Sequence, residues 1–319
     1  MGNDAQVSLY FGNALRAYAF GDGHPFGPDR LDAFWREAGA RGVQERTRIE
    51  LPETAGRADL ERFHTPAYLD LLSERSRTGG GFLDHGDTPA FRGILEAAST
   101  VAGTTLAACR DVLSGVARRA FIPIAGLHHA RRNAAAGFCA VNDCGIAIEY
   151  LKQRRGLERI GYVDIDAHHG DGVYYGFEDD PGVVFADLHE DGRYLYPGTG
   201  AAHEEGIGPA RGTKLNIPMR PDAGDEDFYA AWERVEAFLD AHPPEMILFQ
   251  CGADSIAGDP ITHLRYSTAA HAHAATRLCL LADRYCDGRL VAMGGGGYNR
   301  RNLALAWCAV VEALVAASG

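Results

Sequence analysis

The sequence lacks an excess of basic residues. It contains 31 lysines and arginines against 43 aspartates and glutamates, and its formal net charge is −12. A chain with this balance has no general electrostatic attraction for nucleic acid. We therefore expect no nucleic acid among its partners.

Membrane and export signals are missing as well. No apolar run reaches the ~18 residues that a transmembrane helix needs, and the first twelve residues show no basic segment followed by an apolar core. We therefore expect no signal peptide, no membrane association and a cytoplasmic location. The seven cysteines form no C-x-x-C pair, which predicts reduced, buried thiols rather than disulfides.

Internal repeats and low-complexity tracts are also absent, and helical and strand patterns alternate from residue 90 onward. Short apolar strands that alternate with amphipathic helices predict an α/β fold with a mostly parallel sheet, covered by helices on both faces. The predicted strands are 120–126, 159–166, 182–188, 245–252 and 289–295, and the predicted helices are 91–115, 142–155, 225–242, 268–285 and 301–317.

Each of the five predicted strands is followed by a polar or glycine-rich cluster. The clusters read "GLHHA", "DIDAHHGDG", "DLHEDGRYLYPGTG", "CGADSIAGDP" and "GGGGYN". Ligands of open α/β sheets bind beyond the carboxyl ends of the strands. The five clusters therefore predict one active site at that edge of the sheet.

A divalent metal would compensate the charges in "DIDAHHGDG". Asp166 and His168 are two residues apart, so their side chains point the same way in an extended segment and can reach one ion. Asp259 is the best candidate for a third ligand, which leaves one tetrahedral position open for water. This donor set predicts Zn²⁺, and Fe²⁺ or Co²⁺ would also be tolerated.

Five segments together closely resemble the histone deacetylase family: "GLHHARRNAAAGFCAVNDCGIAI", "YVDIDAHHGDGVYYGF", "YPGTG", "CGADSIAGDP" and "GGGGYN". They occur in the family's order between about residue 20 and about residue 310. The bacterial branch, with its acetoin-utilisation-type proteins and acetylpolyamine amidohydrolases, is the nearest comparison. The resemblance implies one catalytic domain over residues 1–319, with the arginase/deacetylase fold and a single sheet of about eight strands. It also implies a zinc-dependent amidohydrolase reaction.

Roles follow from the resemblance residue by residue. Asp166, His168 and Asp259 match the zinc ligands. His128 and His129 match the paired active-site histidines, and Asp164 and Asp171 match the carboxylates that hydrogen-bond them. The expected roles are general base for His129, electrostatic support for His128, and polarisation of the substrate carbonyl for Tyr298.

A second cation is implied beside the zinc. In the family a monovalent cation, usually K⁺, is bound near the same strands, and the matching positions here are Asp164, Asp166, His168, Asp187 and Leu188. Asp187 stands where the family commonly has serine. This departure adds a charge and leaves the identity of the cation open.

The resemblance also outlines a substrate tunnel. Phe138 and Tyr196 match its two aromatic walls, Gly137 and Ile261 also line it, and Asp87 matches an aspartate at the rim. A slim acylated amine such as acetyl-lysine would fit between the aromatic walls. Arg30 matches a position beside an exit path for the carboxylate product.

Three other functions remain open. An acetylpolyamine amidohydrolase would use acidic residues at the pocket mouth, and Glu74, Asp84 and Asp87 could supply them, although Ile261 stands where one subgroup has a glutamate. A ureohydrolase of the arginase type would need additional aspartates for two metal ions, and the spacing of Asp254 and Asp259 disfavours it. An inactive binding module would keep the pocket without activity. The oligomeric state is not predicted by any of these features.

Overall fold

The structure is a computed structural model that describes residues 6–21 and 23–318. Within these residues, eight β-strands and ten α-helices alternate along the chain. The strands are β1 (Val7–Tyr10), β2 (Arg48–Glu50), β3 (Arg119–Ile122), β4 (Ile160–Asp164), β5 (Val183–Glu190), β6 (Lys214–Met219), β7 (Met246–Gln250) and β8 (Leu290–Met293). The helices are α1 (Asn13–Arg16), α2 (Asp29–Ala40), α3 (Arg57–Leu60), α4 (Pro66–Thr78), α5 (Ile94–Ser114), α6 (Asp143–Arg155), α7 (Asp171–Gly176), α8 (Asp225–Ala241), α9 (Thr268–Tyr285) and α10 (Arg300–Ala316).

All eight strands form one parallel sheet in the order β2-β1-β3-β8-β7-β4-β5-β6. Every residue of β4, β5 and β7 is buried. Because alternate side chains of a strand point to opposite faces, complete burial requires cover on both sides of the sheet. The α/β fold with helices on both faces is therefore confirmed.

Four of the five central strands, β3, β8, β7 and β4, end at the same level, and β5 continues past it to Glu190. Pairing in register joins Ile122 to Met293, Met293 to Gln250, Gln250 to Asp164, and Asp164 to Asp187. The segments that follow these strands must therefore meet at one edge, as expected for a parallel sheet.

Helix capping fixes two of these segments. The Asn142 side chain accepts a hydrogen bond from the Gly145 N–H at the start of α6, and the Asn299 side chain accepts from Arg301 and Asn302 at the start of α10. Satisfying the free N–H groups of a first helical turn stabilises the helix start. Both caps lie beside segments predicted to carry active-site residues.

The predicted elements lie where the structure has them, with ends that differ by a few residues. For example, the predicted strand 182–188 extends as β5 to Glu190, and the predicted strand 289–295 ends at Met293. The edge strands β2 and β6, the strand β1 next to β2, and the helices before residue 90 were not predicted.

The cysteines and the helices bear on two further expectations. All seven cysteines are buried and unpaired. No helix in the described part of the chain has the length and apolar character needed to cross a bilayer. Residues 1–5, which belong to the segment used to predict the absence of a signal peptide, lie outside the described residues.

Candidate active site

Asp166 and His168 lie just beyond β4, at the edge where the central strands end. The Asp166 Oδ1 atom is 3.1 Å from the His168 Nδ1 atom and also accepts the His168 backbone N–H at 3.0 Å. The other oxygen, Oδ2, accepts hydrogen bonds from the Gly296 N–H and the Gln250 amide, at 2.8 and 2.9 Å. The Asp166 carboxylate is therefore fixed from three directions.

Asp254, rather than the predicted Asp259, joins Asp166 in contact with the His168 ring. Its Oδ2 atom is 3.1 Å from His168 Nδ1, and its Oδ1 atom accepts the Ala167 N–H at 2.9 Å. Atoms of Asp166, His168 and Asp254 lie within 4.8 Å of one another and form the one group of possible metal ligands found among the described residues. Sequence reasoning considered Asp254 only with respect to a second metal ion, and its spacing carried no signal for this contact.

Asp259 lies close to the same group but is turned towards the backbone. Its Oδ1 atom accepts the Ile261 N–H at 3.1 Å, and its Oδ2 atom accepts the Tyr298 N–H at 2.8 Å. Asp259 is 7% exposed, whereas Asp254 is completely buried. Asp259 is therefore the more accessible of the two carboxylates.

The electrostatics of this group favour a cation. Burial alone would lower the pKa of His168, but its hydrogen bonds to Asp166 and Asp254 outweigh burial and raise that pKa to about 10. Burial, followed by the charge of Asp166, raises the pKa of Asp254 to about 7. Carboxylates that stabilise a positive charge on His168 would stabilise a divalent cation in the same place.

The tandem histidines are held by two buried carboxylates. His128 Nδ1–H donates to Asp164 Oδ2 at 2.8 Å, and His129 Nδ1–H donates to Asp171 Oδ1 at 2.7 Å. The two Nε2 atoms are 3.1 Å apart. Burial and the neighbouring His128 lower the pKa of His129 to about 4, although Asp171 opposes this shift. A neutral His129 whose Nδ1–H is donated to Asp171 carries a lone pair on Nε2 that can accept a proton, and His128 Nε2 is the neighbouring atom that faces it.

The backbone around the histidines is fixed by the start of α6. The Asn142 amide donates to the carbonyl groups of His128 and Ala130, at 3.1 and 2.9 Å. The Asp143 carboxylate accepts the N–H groups of Gly126 and Leu127, at 3.1 and 2.7 Å. Sequence analysis placed Asn142 and Asp143 only at the start of the predicted helix 142–155. Their second function depends on tertiary contacts that no local pattern reports.

The predicted substrate residues surround one cavity of about 220 Å³. Its lining includes all five of them, Asp87, Gly137, Phe138, Tyr196 and Ile261, together with His129, His168, Leu195 and Tyr298. His129, His168 and Tyr298 therefore face the same space as the two aromatic walls.

Tyr298 ends the glycine-rich segment after β8. Its hydroxyl makes no hydrogen bond to other described residues, and burial, with the charges of Asp254 and Asp166, raises its pKa well above the usual value. A protonated, unpaired hydroxyl beside the cavity is able to donate to an oxygen that enters it.

Asp164 and Asp187 lie directly opposite each other on β4 and β5, and both are completely buried. Burial and the charge of Asp187 raise the pKa of Asp164 well above the usual value. Asp187 accepts hydrogen bonds from the Gly170 N–H and from His189 Nδ1–H, each at 2.8 Å. Burial would lower the pKa of His189, but Asp187 outweighs burial and raises it, so the carboxylate that replaces the expected serine has His189 as a close partner.

Arg30 contacts the backbone of the glycine-rich segment that follows β8. Its guanidinium donates to the carbonyl groups of Gly297 and Gly295, at 2.9 and 2.6 Å, and its centre lies 4.0 Å from the ring centroid of Phe26. Arg30 therefore supports the backbone that carries Tyr298. It does not line the main cavity.

Comparison with known proteins agrees with this geometry. The sequence matches the histone deacetylase domain family over residues 24–314. It is 36% identical to the acetoin utilization protein AcuC of Bacillus subtilis (strain 168), over 90% of this chain and 76% of that protein. It is 35% identical to a probable deacetylase of Archaeoglobus fulgidus, over 86% of this chain and 77% of that protein.

The similarity extends to a yeast protein and to a solved structure. Identity to the histone deacetylase clr6 of Schizosaccharomyces pombe is 32%, over 95% of this chain and 75% of that protein. The crystal structure of the HDA15 HD domain superimposes with a TM-score of 0.92 at 27% identity, and the match covers 98% of this chain and 88% of that one. The fold is thus the arginase/deacetylase fold, and the activity is that of a hydrolase acting on acetyl-amide bonds. The chain belongs to the histone deacetylase family.

Proposed function

We propose that the protein is a zinc-dependent deacetylase that hydrolyses an N-acylated amine, such as acetyl-lysine, to the amine and a carboxylate. One observation carries the proposal. His129, His168 and Tyr298 face a single cavity whose mouth is lined by Phe138 and Tyr196. A proton acceptor, a metal ligand and an oxyanion donor therefore share the space that a slim acylated chain would enter.

Asp166, His168 and Asp259 would hold the zinc ion. One imidazole and two carboxylates are a donor set that suits Zn²⁺, and Fe²⁺ or Co²⁺ can use the same ligands. Asp259 is preferred to Asp254 as the third ligand because Asp259 is the more accessible of the two buried carboxylates and accepts the N–H of Tyr298, whereas Asp254 is completely buried. Asp254 would then hold His168 and Ala167 in place. When bound, such an ion supplies Lewis acidity towards a carbonyl oxygen and lowers the pKa of a water molecule.

His129 would act as the general base. Its Nδ1–H is engaged by Asp171, so Nε2 is the atom that takes the proton of the attacking water and returns it to the leaving amine. His128, which is hydrogen-bonded to Asp164, would give electrostatic support to the charge that develops during the reaction. Tyr298 would donate its hydroxyl proton in a hydrogen bond to the carbonyl oxygen as that oxygen becomes negative.

The cavity mouth favours acyl-lysine over an acylated polyamine. Glu74 is paired with Arg77, and the Asp84 carboxylate accepts the N–H groups of Gly86, Asp87 and Thr88. Of these three acidic residues, Asp87 is therefore the one whose carboxylate has no hydrogen-bond partner among the described residues. A polycation would need several free acids, whereas a single carboxylate suits the backbone N–H of a lysine residue.

A monovalent cation near Asp164 and Asp187 is part of the same proposal, with K⁺ as the first choice. Two facing buried carboxylates provide oxygen donors and negative charge, which a hard monovalent cation would compensate. A cytoplasmic location and a single catalytic domain over residues 1–319 are also proposed. The unpaired cysteines support the first, and the single sheet supports the second.

Hydrolysis assays test the proposal directly. The purified protein is incubated with acetyl-lysine peptides, longer acyl-lysines, acetylated diamines and a guanidino substrate, with and without a chelator. We expect acetyl-lysine turnover that a chelator abolishes and Zn²⁺ restores. Turnover that survives complete removal of metal would refute the zinc mechanism. Release of urea with two metal ions per chain would favour a ureohydrolase instead.

A further inference from the structure

Glu190 connects the two segments that carry the proposed zinc ligands. It is the last residue of β5 and is 1% exposed. Its backbone N–H donates to the carbonyl of Ala167 at 2.8 Å, and Ala167 lies between Asp166 and His168. The main chain of Glu190 is therefore attached to the first ligand segment.

The Glu190 side chain is attached to the second ligand segment. Its Oε2 atom accepts the His263 backbone N–H at 2.8 Å, and its Oε1 atom accepts His263 Nδ1–H at 2.7 Å. His263 follows Asp259 by four positions, and Ile261 of the cavity lies between them. One buried residue thus bridges the segment 166–168 and the segment 259–263.

The two partners of this bridge differ in burial. A buried carboxylate costs free energy unless its oxygens receive hydrogen bonds, and here each oxygen receives one N–H from the same residue. The His263 side chain, in contrast, is 59% exposed. Glu190 is therefore the buried partner of the pair, and its carboxylate holds the loop that contains His263 against the end of β5.

We propose that Glu190 is a positioning residue that sets the spacing between the two ligand segments, and thereby tunes divalent-metal affinity and the position of Ile261 at the cavity. The inference rests on the proposed zinc centre. Glu190 itself touches neither substrate nor metal in this scheme, because it acts through Ala167 and His263. Groups that fix metal ligands from outside typically change metal affinity about 10- to 100-fold when they are replaced.

Three variants separate positioning from general stability. Glu190→Gln replaces one acceptor oxygen by an NH₂ group that faces an N–H donor. His263→Asn keeps a donor near the place of Nδ1, whereas His263→Ala removes it while leaving the backbone contact. Glu236→Gln is a matched control, because the Glu236 carboxylate also receives two N–H groups from a single partner, Arg277, between α8 and α9.

The readouts are the Zn²⁺ dissociation constant from chelator competition, the visible absorption spectrum of the Co²⁺-loaded protein, and the melting temperature of the metal-free protein. For Glu190→Gln we expect the dissociation constant to rise about 10- to 100-fold, with an altered Co²⁺ spectrum and a higher KM for an acetyl-lysine peptide. His263→Asn should match the wild type, His263→Ala should shift in the same direction as Glu190→Gln, and Glu236→Gln should leave both metal readouts unchanged.

A Glu190→Gln protein with wild-type Zn²⁺ affinity and Co²⁺ spectrum would overturn the inference, even if its melting temperature fell, because the residue would then be merely structural. The zinc centre would stand in that case. Failure of the wild-type protein to bind any divalent metal would overturn the proposed function and this inference together.

Discussion

The carboxylate of Asp259 accepts a hydrogen bond from the backbone N–H of Tyr298, with 2.8 Å between Oδ2 and N. A longer bond of 3.3 Å comes from the N–H of Asn299. The loop after β7 and the glycine-rich segment after β8 are thereby joined at the residues proposed as metal ligand and oxyanion donor. A change at Asp259 should therefore affect both metal binding and the placement of Tyr298.

Asp254 and Asp259 are the two candidates for the third metal ligand, and replacing each of them should have a different effect on metal binding. Asp259→Asn keeps an oxygen for the Tyr298 N–H but removes the charge, and we expect it to lose the bound metal on dialysis. Asp254→Asn should retain metal with a dissociation constant about 10- to 100-fold higher, because it disturbs the support of His168 and Ala167 but removes no metal ligand. Metal analysis of the dialysed proteins distinguishes the two. If Asp254→Asn loses the metal and Asp259→Asn keeps it, Asp254 is the ligand.

Replacing Tyr298 by phenylalanine tests the oxyanion donor. The hydroxyl has no partner among the described residues, so its removal should leave the melting temperature unchanged. We expect kcat to fall by about 10²- to 10³-fold, which corresponds to about 3 kcal/mol of transition-state stabilisation. KM for an acetyl-lysine peptide should change much less, because the bond strengthens only as charge develops. A variant that raises KM and keeps kcat would show that Tyr298 binds substrate instead.

The site was predictable from sequence where residues close in the chain act together. Asp166 and His168 share one extended segment, and each predicted strand is followed by residues of the cavity, so the alternation of strands and helices sufficed to predict that they meet at one edge of the sheet. The pairing of His128 with Asp164 and of His129 with Asp171 was expected from the resemblance alone, because 36 and 42 positions separate the partners.

The contacts that sequence reasoning missed depend on side-chain direction in the folded protein. Asp254 and Asp259 lie in one short loop, and nothing in the pattern "CGADSIAGDP" says which carboxylate faces His168. Gln250 is the last residue of β7, whose other residues are all apolar. Its amide nevertheless donates to the Asp166 carboxylate at 2.9 Å. Strand periodicity gives the face of a residue, but it does not give the partner that the side chain reaches.

The buried side chain of His64 should lower the free energy of unfolding of the protein at acidic pH. It is buried, its Nε2 atom accepts the Asn142 N–H at 2.9 Å, and burial lowers its pKa from 6.5 to about 4. The unfolded chain therefore takes up a proton as the pH falls through 6.5, whereas the folded protein does so only near pH 4. This linkage should remove up to about 3 kcal/mol of stability between pH 6.5 and 4.

A glutamine variant isolates that contribution. In His64→Gln the side-chain oxygen can accept the same N–H but does not titrate, so the free energy of unfolding should depend less on pH between 6.5 and 4 than in the wild type. Urea unfolding at several pH values measures the slope. His203→Gln, at an exposed position, is the control and should keep the wild-type slope. Equal slopes in wild type and His64→Gln would contradict the assignment.

Gly137 lies in the cavity wall close to His129, the proposed base, and an alanine at this position tests that close approach. Its φ is +51°, and a Cβ added there would lie 2.5 Å from His129 Cδ2 and 3.1 Å from Tyr196 Cε1. Gly80 provides a matched control, because its φ is +80° and a Cβ would meet no atom within 4 Å. Both alanine variants force a left-handed backbone, at a cost of about 1 kcal/mol.

Only Gly137→Ala must also displace the His129 ring or the tunnel wall. Because a shift of about 1 Å at a reacting group can cost about 100-fold in rate, we expect kcat/KM to fall by at least that factor in Gly137→Ala and to stay near wild type in Gly80→Ala. The comparison of kcat/KM and melting temperature between the two variants removes the common backbone cost. If Gly137→Ala loses stability as Gly80→Ala does but retains full activity, the prediction is contradicted, because the added methyl group has then not moved His129 out of a position that the reaction needs.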